Sequence, residues 1–334
     1  MYELLGISLV LATLLTINTF ASLGTAACWR LFERPARVYS ARTRAEILFA
    51  LRITPPALAV ISVTLFLVPS YLGYEPHSTS EVVSKKLGAL AILSAAGVIL
   101  ALWRALRAWV ATHLLRRKWL ARAQRIELSA VEIPAFCIRH SFPIIAVVGT
   151  LRPRLFIAES VLQTLSEEEL RAALAHECGH LAARDNFKRS LLRACRDALM
   201  VFPCGRSLDR AWAETAECAA DEHAAQQSAD TALNLASALV RIAKMIPAET
   251  HATIPMAAFL VGGEETRGVK ARVRRLLEIA STDRRPRVPN PAIARALPAL
   301  SLCFLIASGG VVANNPHALA AVHSLIERVV NVLC

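Results

Sequence analysis

Five consecutive residues of this 334-residue chain could do chemistry together: His176-Glu177-Cys178-Gly179-His180, an H-E-x-x-H run. On a helix, residues four apart share a face. Both imidazoles then reach one Zn²⁺, and the intervening glutamate stands beside a water on the metal. For a chain of this composition, chance supplies roughly 0.01–0.02 such runs. A catalytic zinc takes a third protein ligand and keeps one position open. A third His six residues after His180, with a Gly three after, would be one solution, but those positions hold Asn186 and Ala183. A glutamate on a following helix is the other. Glu217-Cys218-Ala219-Ala220-Asp221 fits it, with Glu217 as ligand and Asp221, one turn on, holding a ligand imidazole. The reading is therefore Zn²⁺ on His176, His180 and Glu217, with Glu177 as general base. Candidate oxyanion donors or substrate contacts are His223, Arg184 and Asn186. Arg184-Asp185 reads as a pair closing the helix end, and Cys178 as a small packing residue.

These groups need a helix to hold them. Ser166 with Glu169 makes a capping box, and Leu165 with Leu170 a hydrophobic staple, so a helix starts at Ser166 and runs to about Arg184. Ahead of it, Arg125–Leu128, Val131–Ile133 and Phe136–Ile138 read as short strands. Ile144–Val148 and Arg154–Ile157 flank the Gly149–Pro153 turn as a hairpin. One hairpin strand is expected to offer its edge to an extended peptide. Helical patterns follow over 188–200, 208–228, 230–246 and 266–280.

Apolar residues make up 55% of the chain and charged ones 19%, which excludes a disordered chain. Eight scattered Cys exclude a disulfide scaffold. Four uncharged runs stand out: Leu4–Trp29, Ile53–Tyr74, Leu87–Trp103 and Ala296–Ala313. The net charge of +12 is distributed around them. Segments 29–52, 104–125 and 267–287 carry +4, +7 and +6, whereas 126–266 carries −5. Basic loops face the cytoplasm. The expected topology has an external N-terminus, a retained first span and a cytoplasmic catalytic domain. The basic excess is thus juxtamembrane, which argues against direct nucleic-acid binding. Lys270–Arg275 reads as a basic face near anionic headgroups. The fold class expected is a mainly α membrane protein, with four transmembrane helices and a cytoplasmic α+β domain holding a small β-sheet. Its parts are a three-helix transmembrane region over 1–112 (spans about 4–29, 53–74 and 87–103), a cytoplasmic domain over 113–290, a fourth span over 291–313 and a short external amphipathic tail over 314–334. Cys334, in that tail, is a candidate for an intermolecular disulfide and hence self-association.

Arg171 through His180, Arg184-Asp185 and Glu217 through Asp221 resemble the gluzincin membrane peptidases of the M56 and M48 families. The segment Arg152–Ala158 leading into Leu165–Leu170 is similar too. Three spans before the motif and one after look like the M56 group, the BlaR1/MecR1-like sensor peptidases. The resemblance implies a gluzincin-type zinc endopeptidase in a bacterial-type inner membrane. It implies that Asp221 orients His176, and that the substrate is a cytoplasmic protein, a BlaI-like repressor or the chain itself, in a signalling pathway. The chain departs from that group in lacking the large external penicillin-binding domain after the last span. The competing reading is a membrane scaffold with a structural metal site, for which an intact Glu177 has no use. A proteolytic site inside the bilayer is excluded, because the motif helix carries Glu167–Glu169, Arg171 and Arg184.

Overall fold

The computed structural model describes residues 2–76, 83–195, 204–246, 265–281, 303–304, 306–311 and 314–333. It is mainly helical, with one small mixed sheet. Among the described residues, three helices are long and apolar enough to cross a membrane: α1 (Tyr2–Phe32), α2 (Ala41–Tyr74) and α3 (Lys85–Leu120). Most of the fourth apolar run, Ala296–Ala313, lies outside the described residues.

Each of the three helices outruns its apolar stretch. Helix α2 starts 12 residues before Ile53, where the Ser40 hydroxyl accepts from the Thr43 N–H at 3.3 Å. It contains a π-turn at Val63–Leu67 immediately ahead of Pro69. Proline lacks an N–H and crowds the carbonyl four residues back, and a widened turn relieves both. Helix α3 is 36 residues long, about 54 Å, against a hydrocarbon layer of about 30 Å. It is capped by Ser84, whose hydroxyl accepts from the Leu87 N–H at 3.2 Å. It runs unbroken through residue 112, and its last turn enters the domain core. There the Trp119 ring sits edge-on to Phe156 at 5.2 Å.

The sheet contains β1 (Gln124–Ile126), β2 (Ala135–Ile138), β3 (Ile145–Val148) and β4 (Arg154–Ala158), in spatial order β1-β2-β4-β3. The β3–β4 pair is the expected hairpin, with Ile145 opposite Ile157 and Val147 opposite Leu155. Gly149, in its turn, has φ +112°, and a Cβ there would lie 2.8 Å from the Arg152 carbonyl oxygen. Strand β2 pairs with β4 in parallel, so β4 is interior and only β3 can offer an edge on the hairpin side. Val131–Ile133, expected as a strand, is a bend between β1 and β2.

Helices α4 (Glu159–Thr164), α5 (Glu167–Ala183), α6 (Asp185–Cys195), α7 (Cys204–Ala225), α8 (Ala229–Met245) and α9 (Glu265–Ser281) complete the domain. Helix α10 (Pro316–Leu333) follows the last apolar run. Leu155, Phe156 and Ile157 are completely buried in one core with Ala172, Ala173 and Leu174 of α5 and Leu235 and Leu239 of α8. A second core joins α2 to this domain: Ala45 and Leu48 pack with Leu192, Leu208, Trp212 and Ala216. Buried charges reinforce it. Lys188 Nζ lies 2.6 Å from Glu46, and Arg52 reaches Asp209 at 2.9 Å and the Cys195 carbonyl at 3.0 Å. The beginning of α2 is therefore part of the domain that carries H-E-x-x-H.

Candidate metal centre and active site

Helix α5 presents both histidines as the sequence predicts. Its capping box is complete: the Ser166 hydroxyl accepts from the Glu169 N–H at 3.2 Å, and the Glu169 carboxylate accepts from the Ser166 N–H at 2.9 Å. Gly179 is where α7 crosses. A Cβ there would lie 3.0 Å from Ala220 Cα and 3.2 Å from His223 Cβ. The missing side chain lets α7 approach closely enough for Glu217, one turn before Ala220, to face the histidines. His223 is consequently an exposed residue beside that crossing.

His176, His180 and Glu217 converge, with one ligand atom from each lying within 4.8 Å of the others. Glu217 is 3.7 Å from His176 Nε2 and 3.6 Å from His180 Nε2. These spacings fit the edge of a tetrahedron built on bonds of about 2.1 Å, roughly 3.4 Å. Each imidazole is held from behind by a carboxylate. His176 Nδ1 lies 2.9 Å from Asp221, and His180 Nδ1 lies 2.7 Å from Asp185. A neutral histidine held this way keeps its proton on Nδ1 and turns the Nε2 lone pair toward the centre. Glu217 Oε2 is buried with no hydrogen-bond partner among the described residues. Arg272 Nη1 stands 3.3 Å from that oxygen, and two imidazoles converging with a carboxylate are a donor set that fits Zn²⁺.

Asp185 reaches His180 because Arg184 adopts a left-handed conformation, φ 53° and ψ 38°, at the end of α5 and turns the chain back. The Arg184 side chain itself is exposed and does not line the cleft. Arg272 is the residue that sequence reading missed. It and Arg275 lie in the stretch expected to face headgroups, yet both turn into the domain. Arg272 grips Asp221 through two nitrogens at 2.7 and 2.9 Å and stands 3.3 Å from Glu217. Arg275 pairs with Glu222, whose other oxygen accepts the Ala41 N–H of α2 at 3.0 Å.

This charge arrangement sets the protonation of the site. Burial penalises charge throughout, but the neighbouring His180, His176 and Arg272 hold Glu217 well below the usual carboxylate range. Asp221 is likewise held low by Arg272 and His176 against its burial. Burial works against charge on His180, yet the carboxylates of Glu217 and Asp185 outweigh it and push the pKa up to about 10. His176 is also raised, its burial outweighed by Asp221 and Glu217. Glu177 is pushed up by burial, with Glu217 adding and the two histidines opposing. A carboxylate moved toward neutrality is better matched to accepting and returning a proton.

The cleft in front of the histidines is lined by Ile145, Ala146 and Val147 of β3 together with Glu177, His180, Asp185, Asn186, Arg189 and Glu217. The Ala158 N–H donates to the Ile144 carbonyl, so the alternation of an antiparallel pair turns the main-chain groups of Ile145 and Val147 toward the free edge. Those of Val147 are engaged. Its N–H donates to Glu177 Oε2 at 3.3 Å, and its carbonyl accepts from Asn186 Nδ2 at 2.8 Å. Asn186 also donates to the Gly149 carbonyl at 3.3 Å. Its amide hydrogens are therefore committed to the β3 edge, not presented to an oxyanion.

Comparison with known proteins places this geometry in context. No curated protein matches the chain. Residues 115–261, which include β1–β4, H-E-x-x-H and Glu217 through Asp221, match the model of Peptidase family M48. The match supports a related zinc metallopeptidase family, and the metal-competent His176–His180–Glu217 group lies within the matched segment.

Proposed function

We propose that this chain is a membrane-anchored zinc endopeptidase of the M56 type that cuts a cytoplasmic protein in a signalling pathway. The observation that carries the reading is the cleft itself: a metal-competent triad, a buried glutamate of raised pKa and the β3 edge at Ile145 face one another. His176, His180 and Glu217 would hold Zn²⁺, with Asp221 orienting His176. Bound there, the ion would supply Lewis acidity toward a peptide carbonyl and lower the pKa of a water. The protein's own groups do the rest. A substrate strand pairs along β3 at Ile145, and Glu177 takes a proton from the attacking water and returns it to the leaving nitrogen.

Charge and the contacts of α10 support the topology of this reading. Basic collars support a cytoplasmic domain in a bacterial-type cell. The Tyr74 hydroxyl donates to the Pro316 carbonyl at 2.7 Å, and the Ser70 hydroxyl to the Leu319 carbonyl at 3.0 Å. Helix α10 thus lies at the opposite end of α2 from Ala41 and α9. Gly309 lies against Leu65, 2.6 Å from its Cδ1 to the position of a Cβ, in the last third of α2. Both contacts favour a fourth crossing over 291–313. The substrate class is a BlaI-like repressor or the chain itself, and self-association through Cys334 belongs to the same proposal.

The test is the inventory of cytoplasmic protein N-termini in cells carrying the native chain or Glu177→Gln, compared across envelope stresses. New N-termini that depend on Glu177 are expected. Identical inventories under every stress would favour a non-proteolytic scaffold.

A further inference from the structure

The site as described lacks one component. Adding water to an amide carbonyl builds negative charge on the carbonyl oxygen, and a positioned donor at that oxygen is worth about two to three orders of magnitude in rate. The candidates legible in the sequence do not fill the role. Asn186 is spent on the β3 edge, Arg184 is outside the cleft, and His223 is outside it on the α5–α7 crossing. Neighbouring cations are committed elsewhere: Arg272 to Asp221, Arg275 to Glu222 and Lys188 to Glu46.

We infer that Arg189 is the residue that binds this oxygen, a role that rests on the peptidase reading above. It is the basic residue lining the cleft. It lies on α6 one turn after Asp185 and therefore on the same face. Its Nη2 stands 3.7 Å from Glu217 Oε1, beside the triad but beyond hydrogen-bonding distance. Glu217 already has Arg272 closer, at 3.3 Å, so neutralising that carboxylate does not require Arg189. Its side chain is 21% exposed. The guanidinium carbon lies 5.9 Å from the ring centre of the buried Trp212, at the outer reach of a cation–π contact.

The step balances on the chain's own groups. Water oxygen bonds to the carbonyl carbon, Glu177 takes one water proton, and the π pair moves onto the carbonyl oxygen, where Arg189 N–H groups receive it. On collapse the pair re-forms C=O and the C–N bond breaks. The nitrogen leaves with the proton from Glu177. The remaining water proton passes to the amine, leaving a carboxylate and an ammonium.

The experiment uses the full chain in detergent, loaded with zinc, as native protein, Arg189→Met and Arg189→Lys. Cleavage of fluorogenic casein is followed alongside calorimetric binding of the tetrahedral phosphoramidate phosphoryl-Leu-Trp. For Arg189→Met, kcat/KM and phosphoramidate affinity should each fall about 100-fold, with KM and zinc content unchanged. Arg189→Lys should recover part of both. Native-like values in Arg189→Met overturn the assignment, as does a loss matched by lost zinc. A native chain that binds the phosphoramidate through Arg189 but never cleaves keeps the assignment and defeats the peptidase reading. One that neither binds nor cleaves defeats both.

Discussion

Two carboxylates behind two histidines make the residue-scale case. Asp221 and Asp185 each fix one imidazole through Nδ1. Removing such a contact weakens metal affinity about 10–100-fold. Asp221→Asn and Asp185→Asn should each show that loss in a competitive chelator titration, with the helical circular dichroism unchanged. The same carboxylates give the metal-free site a pH dependence. His180 is pushed up to about 10 and His176 is raised, so without metal His180 is protonated at neutral pH and His176 holds its proton more tightly than a free imidazole. Zinc needs their neutral forms. Binding should therefore release protons, and affinity should climb as pH rises from 6 to 8. Calorimetry in buffers of different ionisation enthalpy measures that release, and uptake or no transfer would contradict the arrangement. That His176 and His180 share one helix face, and Glu217 and Asp221 another, was readable from spacing because helical geometry is local. Asp185 was not, because its role depends on Arg184 taking a left-handed turn that is usually given to glycine or asparagine. Arg272 was hidden further: it comes 51 residues after its partner Asp221, in a basic stretch whose pattern matches a membrane collar.

Elements position these residues through two close approaches. At the first, α5 meets α7 across Gly179, where Cβ contacts would be 3.0–3.3 Å. Gly179→Ala should be tolerated only with a small separation of the helices. Gly179→Val should destabilise the fold and weaken zinc binding together, read as a lower melting temperature and a lower metal content. At the second, α2 joins the catalytic domain through Glu46–Lys188, both buried. Removing one member of a buried pair costs about 3–5 kcal/mol, whereas replacing both with apolar groups is far milder. Lys188→Met alone should therefore lower stability more than the double variant Glu46→Leu/Lys188→Met, checked by denaturant titration in detergent. The hairpin and the capping box were legible in the sequence because their determinants lie within a few residues of one another. The sheet order was not. Whether β3 or β4 forms the edge depends on the parallel partner β2, and the short apolar strands carry no mark of that pairing.

The whole molecule is organised around three helices long and apolar enough to cross a membrane. Apolar runs located α1, α2 and α3, but hydrophobicity reports only the part of a helix that lipid would cover. The first turns of α2 and the last turns of α3 are polar or basic in sequence, yet they pack into the domain cores. The long apolar helices consequently also pack into the domain that carries H-E-x-x-H, and α3 runs unbroken through residue 112. The +12 charge is informative in the same way. Part of it stands as collars, and part, Arg52, Arg272 and Arg275, is folded inward to neutralise buried carboxylates. The central claim is that this shared framework holds a catalytic zinc. The direct measurement is metal content and casein cleavage of the purified full chain beside Glu177→Gln and Glu217→Ala. The account predicts one zinc and cleavage in the native chain, one zinc without cleavage in Glu177→Gln, and neither in Glu217→Ala. Cleavage that survives in Glu177→Gln, or zinc retained at full affinity in Glu217→Ala, would contradict it.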